Sequence, residues 1–195
     1  MTSDSYLTIS EPAKGMYKEK SSKFLSFAYP VQTDAEIRSL LQQTRKEYYD
    51  ARHVCYAYIL GALQNTYNAS DGGEPAHTAG DPILNEIKSA GLTNILVIVV
   101  RYFGGTKLGK SGLIAAYKES AKDVLNQCTS IQKTETQTLT IVFDYTETNR
   151  VQNLIQELSA EIVGQSYDIH CQLILQISKS NVPEARAKLQ DFLKE

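Results

Sequence analysis

Residues 97–117 read VIVVRYFGGTKLGKSGLIAAY, and this stretch decides the fold. It begins with β-branched residues typical of a buried strand, passes through a glycine-rich loop and ends in a helical pattern. Glycine lets backbone N–H groups approach a ligand closely, and the first turn of a helix leaves its N–H groups unpaired at the positive end of the dipole. The stretch therefore predicts a strand–loop–helix anion site, to which Lys107 and Lys110 add charge and Ser111 a hydroxyl.

The loop also matches the letters of a phosphate loop, GxxxxGK[ST], at Gly104, Gly109, Lys110 and Ser111. Gly112 in the first helical turn is unfavourable for that interpretation, and no acidic residue that would hold magnesium follows at a strand end. Three interpretations remain open: nucleotide hydrolysis, a plain turn with a helix cap, and a phosphate- or partner-binding surface. We favour the last.

Composition restricts the function classes. A chain of 195 residues favours two domains, and 42% apolar with 22% charged residues is ordinary for a globular protein. The net charge of −2 limits any nucleic-acid site to a local patch. Cys55, Cys128 and Cys171 are far apart and form no CxxC pair, which indicates reduced, buried thiols. We expect no signal peptide and no membrane span, since the longest apolar run is residues 95–100, and we expect a cytoplasmic protein.

Before residue 63 the patterns predict mainly strands. Strands are expected at residues 6–9, 15–20, 23–31 and 53–60. A helix is expected from Thr33 to about Tyr48, because Thr33 and Glu36 have capping-box spacing and apolar residues then recur at helical spacing.

Residues 64–82, QNTYNASDGGEPAHTAGDP, predict a long polar loop. Loops of this length are uncommon inside compact domains unless they are functional. A short helix is expected next, with Asp81 as its N-cap, Pro82 at N1 and Gly91 at C′. The acids and His77 could bind a metal or act in acid–base chemistry, but turn chemistry is the favoured role for Asp71 and Asp81.

The last third of the chain has a self-contained pattern. Residues 127–133 predict a polar link between domains. After it we expect a strand at 136–145, a helix at 148–159, strands at 162–167 and 169–178, and a helix at 182–193. The βαββα order suggests a ferredoxin-like domain with helices on one face of an antiparallel sheet. His170 is expected in a strand, in a structural or merely exposed position.

Three segments together resemble one family. The chain resembles the YigZ/IMPACT family over about residues 14–125. The segments that carry the resemblance are DGGEPAHTAGDPIL, VVRYFGGTKLGKSGLIAAY and the upstream HVCYAYIL. The βαββα tail is similar to the small C-terminal domain of bacterial members. The resemblance implies an α+β fold: an α/β domain of the ribosomal-protein, domain-2-like type at 1–130, with a curved sheet backed by helices, and a ferredoxin-like domain at 134–195.

The resemblance also implies a setting in translation. Eukaryotic members regulate translation by competing for the activator of a starvation-responsive initiation-factor kinase, and for bacterial members nucleic-acid or ribosome binding is suggested by the fold. The proline-dipeptidase activity associated with some relatives finds no support in this sequence. The sequence departs from the family pattern at Gly72, where an acid is usual, at His77, where a small residue is usual, and at Ala115, where an arginine would offer a bidentate phosphate donor.

These observations predict a non-enzymatic binding protein acting in translation regulation, with RNA, the ribosome or a regulatory protein as partner and no cofactor or metal. Arg101, Lys107 and Lys110 are expected to contact phosphates, and Tyr102, Phe103 and Tyr117 to offer ring faces to bases. Alternatively, Arg101 pairs with Asp71 or Glu74. The full predicted site comprises His53, Asp71, Glu74, Thr78, Arg101, Tyr102, Phe103, Gly104, Gly105, Lys107, Gly109, Lys110, Ser111 and Tyr117.

The alternative is a hydrolase or a phosphoryl-handling enzyme that uses the same loops. Glu74 or Asp71 would be its general base, His53 the proton carrier and the loop from Gly104 to Ser111 the oxyanion or phosphate cradle. Oligomeric state is left open.

Overall fold

The structure, a computed structural model, describes residues 4–194 and divides into two compact units. The larger unit is Tyr6–Lys133, and the smaller one comprises residues 134–194 with Asp4 and Ser5. Residues 1–3 and 195, which the sequence interpretation assigned to the two domains, lie outside the described residues. The predicted α+β class is confirmed.

A five-stranded antiparallel sheet forms the centre of the larger unit, in the strand order β2-β3-β6-β4-β5. Its strands are β2 (Ala13–Glu19), β3 (Ser22–Pro30), β4 (His53–Leu60), β5 (Thr66–Ser70) and β6 (Ile95–Tyr102). A separate pair of strands joins β1 (Ser5–Ile9) to β7 (Ser130–Thr134). The helices of this unit are α1 (Asp34–Glu47), α2 (Gly80–Ser89) and α3 (Gly109–Asn126).

Strand β6 is covered on both faces, which explains its uninterrupted run of apolar residues. Residues 95–100 are all fully buried. Val97 and Val99 face α2 and α3, whereas Leu96 and Ile98 face the side covered by α1. Because successive side chains of a strand point to opposite faces, a strand buried on both sides needs apolar residues at every position rather than at alternate ones.

The ends of α1 and α2 follow from local sequence. Thr33 and Glu36 form the predicted capping box, each side chain accepting a hydrogen bond from the other residue's backbone N–H. Helix α2 ends as predicted, because Gly91 adopts φ +67° and the N–H of Leu92 returns to the carbonyl of Ile87, a Schellman arrangement.

The smaller unit has the predicted βαββα order. It consists of β8 (Thr136–Phe143), α4 (Thr148–Glu157), β9 (Glu161–Tyr167), β10 (Cys171–Ser178) and α5 (Val182–Lys188), with β10 between β8 and β9. Buried residues alternate along β10 and pack with both helices, so one face of the sheet forms the core. Near its end the chain returns beside β8, where Leu193 bridges Ile141, at the position a fourth strand has in a ferredoxin-like sheet.

Two predicted irregular segments contain strands. The polar loop at 64–82 includes β5, and the polar link at 127–133 runs into β7. Both strands are largely exposed, so their sequences lack the apolar alternation by which strands are recognised. His170 precedes β10 rather than lying in a strand, and its Nδ1 is 2.6 Å from Asp144 Oδ1. Helix α5 ends at Lys188, five residues before its predicted end.

Candidate functional site

The strand register brings the polar loop after β5 and the glycine-rich loop after β6 together at one end of the large sheet. The antiparallel pairing of β4 and β6 places His53 opposite Arg101, so the start of β4 lies beside the end of β6. Strand β5 runs antiparallel to β4 and ends at Ser70, beside Tyr56, and the chain then continues toward His53. The loop at 71–79 and the loop at 103–108 therefore meet above His53.

A buried ion pair joins the first loop to the end of β6, where the second loop begins. Arg101 NH1 donates a hydrogen bond of 2.6 Å to Glu74 Oε1, and the two side chains are 6% and 4% exposed. The Tyr117 hydroxyl from α3 donates to the same oxygen at 2.9 Å. Arg101 thus takes the ion-pair alternative with Glu74. A buried charge of this kind is tolerated only when it is paired and hydrogen-bonded, so the arrangement holds the loops in one conformation.

Two side chains beside the ion pair stay protonated. Burial raises the pKa of the Cys55 thiol to about 12. Burial is also the largest cause of the raised pKa of Tyr117, and the nearby Cys55 and Glu74 raise that pKa further, well above its usual value. Cys55 Sγ lies 2.9 Å from the carbonyl oxygen of Asp71 and 3.2 Å from the Tyr117 hydroxyl. A protonated, buried thiol is a poor nucleophile, so Cys55 acts as a packing and hydrogen-bonding group.

Asp71 closes the first loop onto helix α2. Its carboxylate accepts hydrogen bonds from the backbone N–H groups of His77, Ala79 and Gly80, each at 2.9 Å. Burial by itself would raise the pKa of Asp71, but these three donors outweigh it and lower the pKa below its usual value.

Asp81, the predicted N-cap, is exposed and instead lies 2.7 Å from His77 Nδ1. Helix α2 starts earlier than the sequence suggests, at Gly80, so Pro82 is its third residue. The capping carboxylate is Asp71, supplied from nine residues upstream, at a spacing that a local capping pattern does not include.

His53 is held by the same loop. Its Nδ1 lies 3.1 Å from the carbonyl oxygen of Gly72, and its Nε2 is 3.9 Å from Glu74 Oε2. Gly72 has φ +55°, and a Cβ there would collide with the backbone carbonyl of Val54. The loop approaches β4 this closely only because residue 72 has no side chain.

The second loop is anchored to the turn between β2 and β3. Gly104 N–H donates to Ser22 Oγ at 3.3 Å, and a Cβ at Gly104 would collide with the backbone of Ser21. The loop then leads to α3, which has no side-chain N-cap and no acidic residue in its first turn. The predicted strand–loop–helix unit is therefore present, with its helix N-terminus uncompensated by local acids.

A pocket of about 380 Å³ opens between the two loops. We call its exposed side the mouth, which carries the cations Arg52, Lys107 and Lys110, and its buried side the floor, which contains the ion pair of Arg101 and Glu74. Apolar side chains form the walls. The lining consists of Arg52, His53, Glu74, Pro75, Arg101, Phe103, Lys107, Leu108, Gly109, Lys110 and Leu113. We call this cavity the loop pocket, and we call the surface formed by His53 and residues 71–79 and 103–111 the loop face.

Half of the predicted site residues line the loop pocket. They are His53, Glu74, Arg101, Phe103, Lys107, Gly109 and Lys110. Gly105 and Ser111 are exposed nearby in the sequence but do not line it, and Gly104 is half-buried against the β2–β3 turn.

The structure places the remaining predicted residues in other roles. Tyr117 is fully buried, so its ring cannot stack on a base. Arg101 donates to Glu74 and is therefore paired within the protein rather than exposed toward a phosphate. Thr78 is buried and donates to the Pro75 carbonyl at 2.6 Å. Tyr102 packs on the α1 side of the sheet and donates to Asp50 Oδ1 at 2.8 Å. Asp71, as described above, stabilises the loop.

Four pocket residues were missed by the sequence interpretation: Arg52, Pro75, Leu108 and Leu113. Arg52 and Pro75 flank predicted residues in sequence, and that proximity was an available signal. Leu113 has the appearance of an ordinary helix-face residue and Leu108 that of an ordinary loop residue, so only the tertiary structure identifies them as pocket walls.

Comparison with known proteins places this site in a family context. A model of the Impact N-terminal domain matches residues 20–125, and a model described as a domain of unknown function, DUF1949, matches residues 141–194. The chain belongs to the IMPACT family. Both loops that form the pocket fall inside the first match.

Several IMPACT family members are similar along most of the chain. The member YigZ of Escherichia coli (strain K12) is 31% identical over 191 residues, which cover 97% of this chain and 94% of the relative. The member YvyE of Bacillus subtilis (strain 168) is 33% identical over 153 residues, covering 78% and 70%. The crystal structure of a hypothetical protein matches with a TM-score of 0.71 at 30% identity, covering 96% of this chain and 92% of that one.

Two further features bear on the site and the chain. Within residues 4–194, no group of three or more His, Cys, Asp or Glu side chains is arranged to hold a metal ion. In the same described range, no helix is long and apolar enough to cross a membrane.

Proposed function

We propose that this IMPACT-family chain is a non-enzymatic RNA-binding protein that acts in translation regulation, and that RNA binds at the loop face. The observation that carries the proposal is the set of three cations at the mouth of the loop pocket. All three residues, Arg52, Lys107 and Lys110, line the pocket, and none of their side chains forms an ion pair or hydrogen bond within the part of the chain that the structure describes.

Helix α3 adds to this local positive field. Its first residues, Gly109 and Lys110, line the pocket, and its first turn contains no acid to neutralise the free N–H groups. The Glu74 carboxylate is already neutralised by Arg101. A chain of net charge −2 thus presents a small cationic patch, which suits contact with a few phosphates rather than with a long duplex.

The hydrogen-bond pattern favours binding over catalysis. A general base must take up a proton, but a proton on Glu74 would break its buried ion pair with Arg101, and Asp71 already accepts three backbone N–H groups. The Cys55 thiol is protonated and buried. The hydrolase alternative with Glu74 or Asp71 as base is correspondingly less supported. The translation setting is the one that membership of the IMPACT family suggests.

The test is a binding titration of the full chain against ribosomes and short single-stranded RNA over a range of salt concentrations. Each phosphate contact on a single strand contributes about −0.7 to the slope of log affinity against log salt. The double variant Lys107→Ala/Lys110→Ala should therefore bind more weakly and reduce the magnitude of that slope by about 1.4.

The matched control is Lys46→Ala/Lys122→Ala, which removes the same charge from exposed positions on α1 and α3 outside the pocket. It should leave the slope within error of the parent chain. Equal losses in the two double variants would mean that only net charge matters. Absence of RNA and ribosome binding at low salt would refute the proposal and leave a protein partner at the loop face as the next candidate.

A further inference from the structure

We infer that the loop pocket holds a single nucleotide, with the base inside the pocket and the phosphate at its mouth. This inference deepens the proposed function, since the nucleotide is either free or one exposed unit of an RNA strand. The pocket volume of about 380 Å³ lies in the range of cavities that bind small ligands, roughly 300–1,000 Å³. Its apolar walls suit the faces of a base, its polar floor suits the hydrogen-bonding edge of that base, and its cationic mouth suits the phosphate.

The walls suit a flat ring. Phe103 is 45% exposed although it lies in a structured loop, and Pro75, Leu108 and Leu113 complete the apolar lining. The guanidinium carbon of Arg101 lies 5.7 Å from the centroid of the Phe103 ring, a cation–π contact that holds the ring at the pocket. Stacking on an exposed aromatic ring is the usual means by which proteins hold an unpaired base.

The floor offers hydrogen-bonding groups that the protein itself leaves unused. Arg101 is 5% exposed, and its Nε–H is buried without a hydrogen-bond partner among the described residues. Glu74 Oε2 accepts no hydrogen bond in that range and lies 3.9 Å from His53 Nε2. His53 Nδ1 lies 3.1 Å from the Gly72 carbonyl oxygen, which can only accept, so Nδ1 carries a hydrogen and Nε2 is the ring nitrogen on the side of Glu74.

These groups distinguish a base from an apolar peptide anchor. A buried donor without a partner costs free energy, and an apolar side chain would leave that cost in place. A base edge that carries N–H donors beside a carbonyl oxygen complements the Oε2 acceptor of Glu74 and the Nε–H donor of Arg101. Guanine has such an edge, with N1–H and an amino group beside O6. Phosphate would then lie at the mouth, near Lys107, Lys110 and the N-terminus of α3.

The experiment is calorimetric titration of the full chain with GMP at physiological salt, beside its two parts, guanosine and ribose 5-phosphate. GMP should bind at one site and more tightly than either part. Phe103→Ala should weaken GMP binding by about 5- to 150-fold, the size of one base–aromatic stack. Because Phe103 is exposed, this variant should fold normally, which circular dichroism checks. Leu63→Ala, at an exposed apolar residue outside the pocket, should bind GMP like the parent chain.

Competition identifies the source of the nucleotide. If a short single-stranded RNA displaces GMP and its own binding is weakened by Phe103→Ala, the pocket holds one unit of an RNA strand. If GMP binds and RNA does not, the pocket takes a free nucleotide and the proposed RNA function fails while this inference stands. If RNA binds with the Lys107/Lys110 dependence but GMP does not compete and Phe103→Ala is neutral, the nucleotide pocket is refuted and the RNA function stands. Binding of an acidic phenylalanine-containing peptide in place of GMP also refutes it.

Discussion

Removal of the Glu74 carboxylate probes the buried network most directly. In Glu74→Ala, the Arg101 guanidinium loses the carboxylate that accepts its hydrogen bond at 2.6 Å and is left charged in a site where its side chain is 6% exposed. Breaking a buried ion pair from one side costs about 3–5 kcal/mol. The Tyr117 hydroxyl also loses its acceptor, at a cost of about 1–3 kcal/mol that overlaps with the first. We expect a loss of about 4 kcal/mol in the free energy of unfolding.

A double-mutant cycle separates the charge from the packing. Glu74→Gln/Arg101→Met leaves no buried charge, so it should cost less than the sum of the two single variants, with a coupling energy of at least about 1.5 kcal/mol. Lys118→Ala is the control, since Lys118 is exposed and its long, 4.0 Å pair with Glu86 should contribute less than about 0.5 kcal/mol.

The assay is urea unfolding followed by far-ultraviolet circular dichroism, because the chain contains no tryptophan. Amide hydrogen exchange in β4 and β6 confirms that the larger unit is the one destabilised. If Glu74→Ala lost no more than Lys118→Ala, the ion pair would be stabilising nothing and our account of how the loops are held together would be wrong.

Two further predictions concern the same loops. Because the pKa of Asp71 is lower in the folded than in the unfolded chain, its contribution to stability is complete above the unfolded pKa of about 3.9 and is lost as pH falls through the folded value. Asp71→Asn should therefore lower the free energy of unfolding at neutral pH and reduce the stability that is lost on acidification. Urea unfolding at pH 3 to 7 measures both, and an unchanged acid dependence would contradict this. Cys55, with a pKa of about 12, should resist iodoacetamide in the native chain at pH 8, whereas half-buried Cys128 should react faster. Mass spectrometry after timed labelling distinguishes the two cysteines, and equal rates would contradict the description of Cys55 as a buried, protonated thiol.

Much of the fold follows from patterns confined to neighbouring residues. The uninterrupted apolar run of β6 indicated a buried strand, the Thr33–Glu36 spacing indicated the start of α1, and Gly91 indicated the end of α2. Strands β5 and β7 were missed because an exposed strand needs no apolar alternation, and such strands are recognisable only through their partners, β4 and β1.

The candidate site shows the same division. The sequence by itself determined the strand–loop–helix unit, the two glycine-containing loops and the family, because glycine spacing, turn residues and motif order are properties of adjacent positions. Only the tertiary structure decided that Glu74 neutralises Arg101, that Asp71 caps α2 and that Tyr117 lies inside the core rather than facing a ligand. Those roles depend on the strand register that sets His53 opposite Arg101, and register depends on contacts between residues that are distant in the chain.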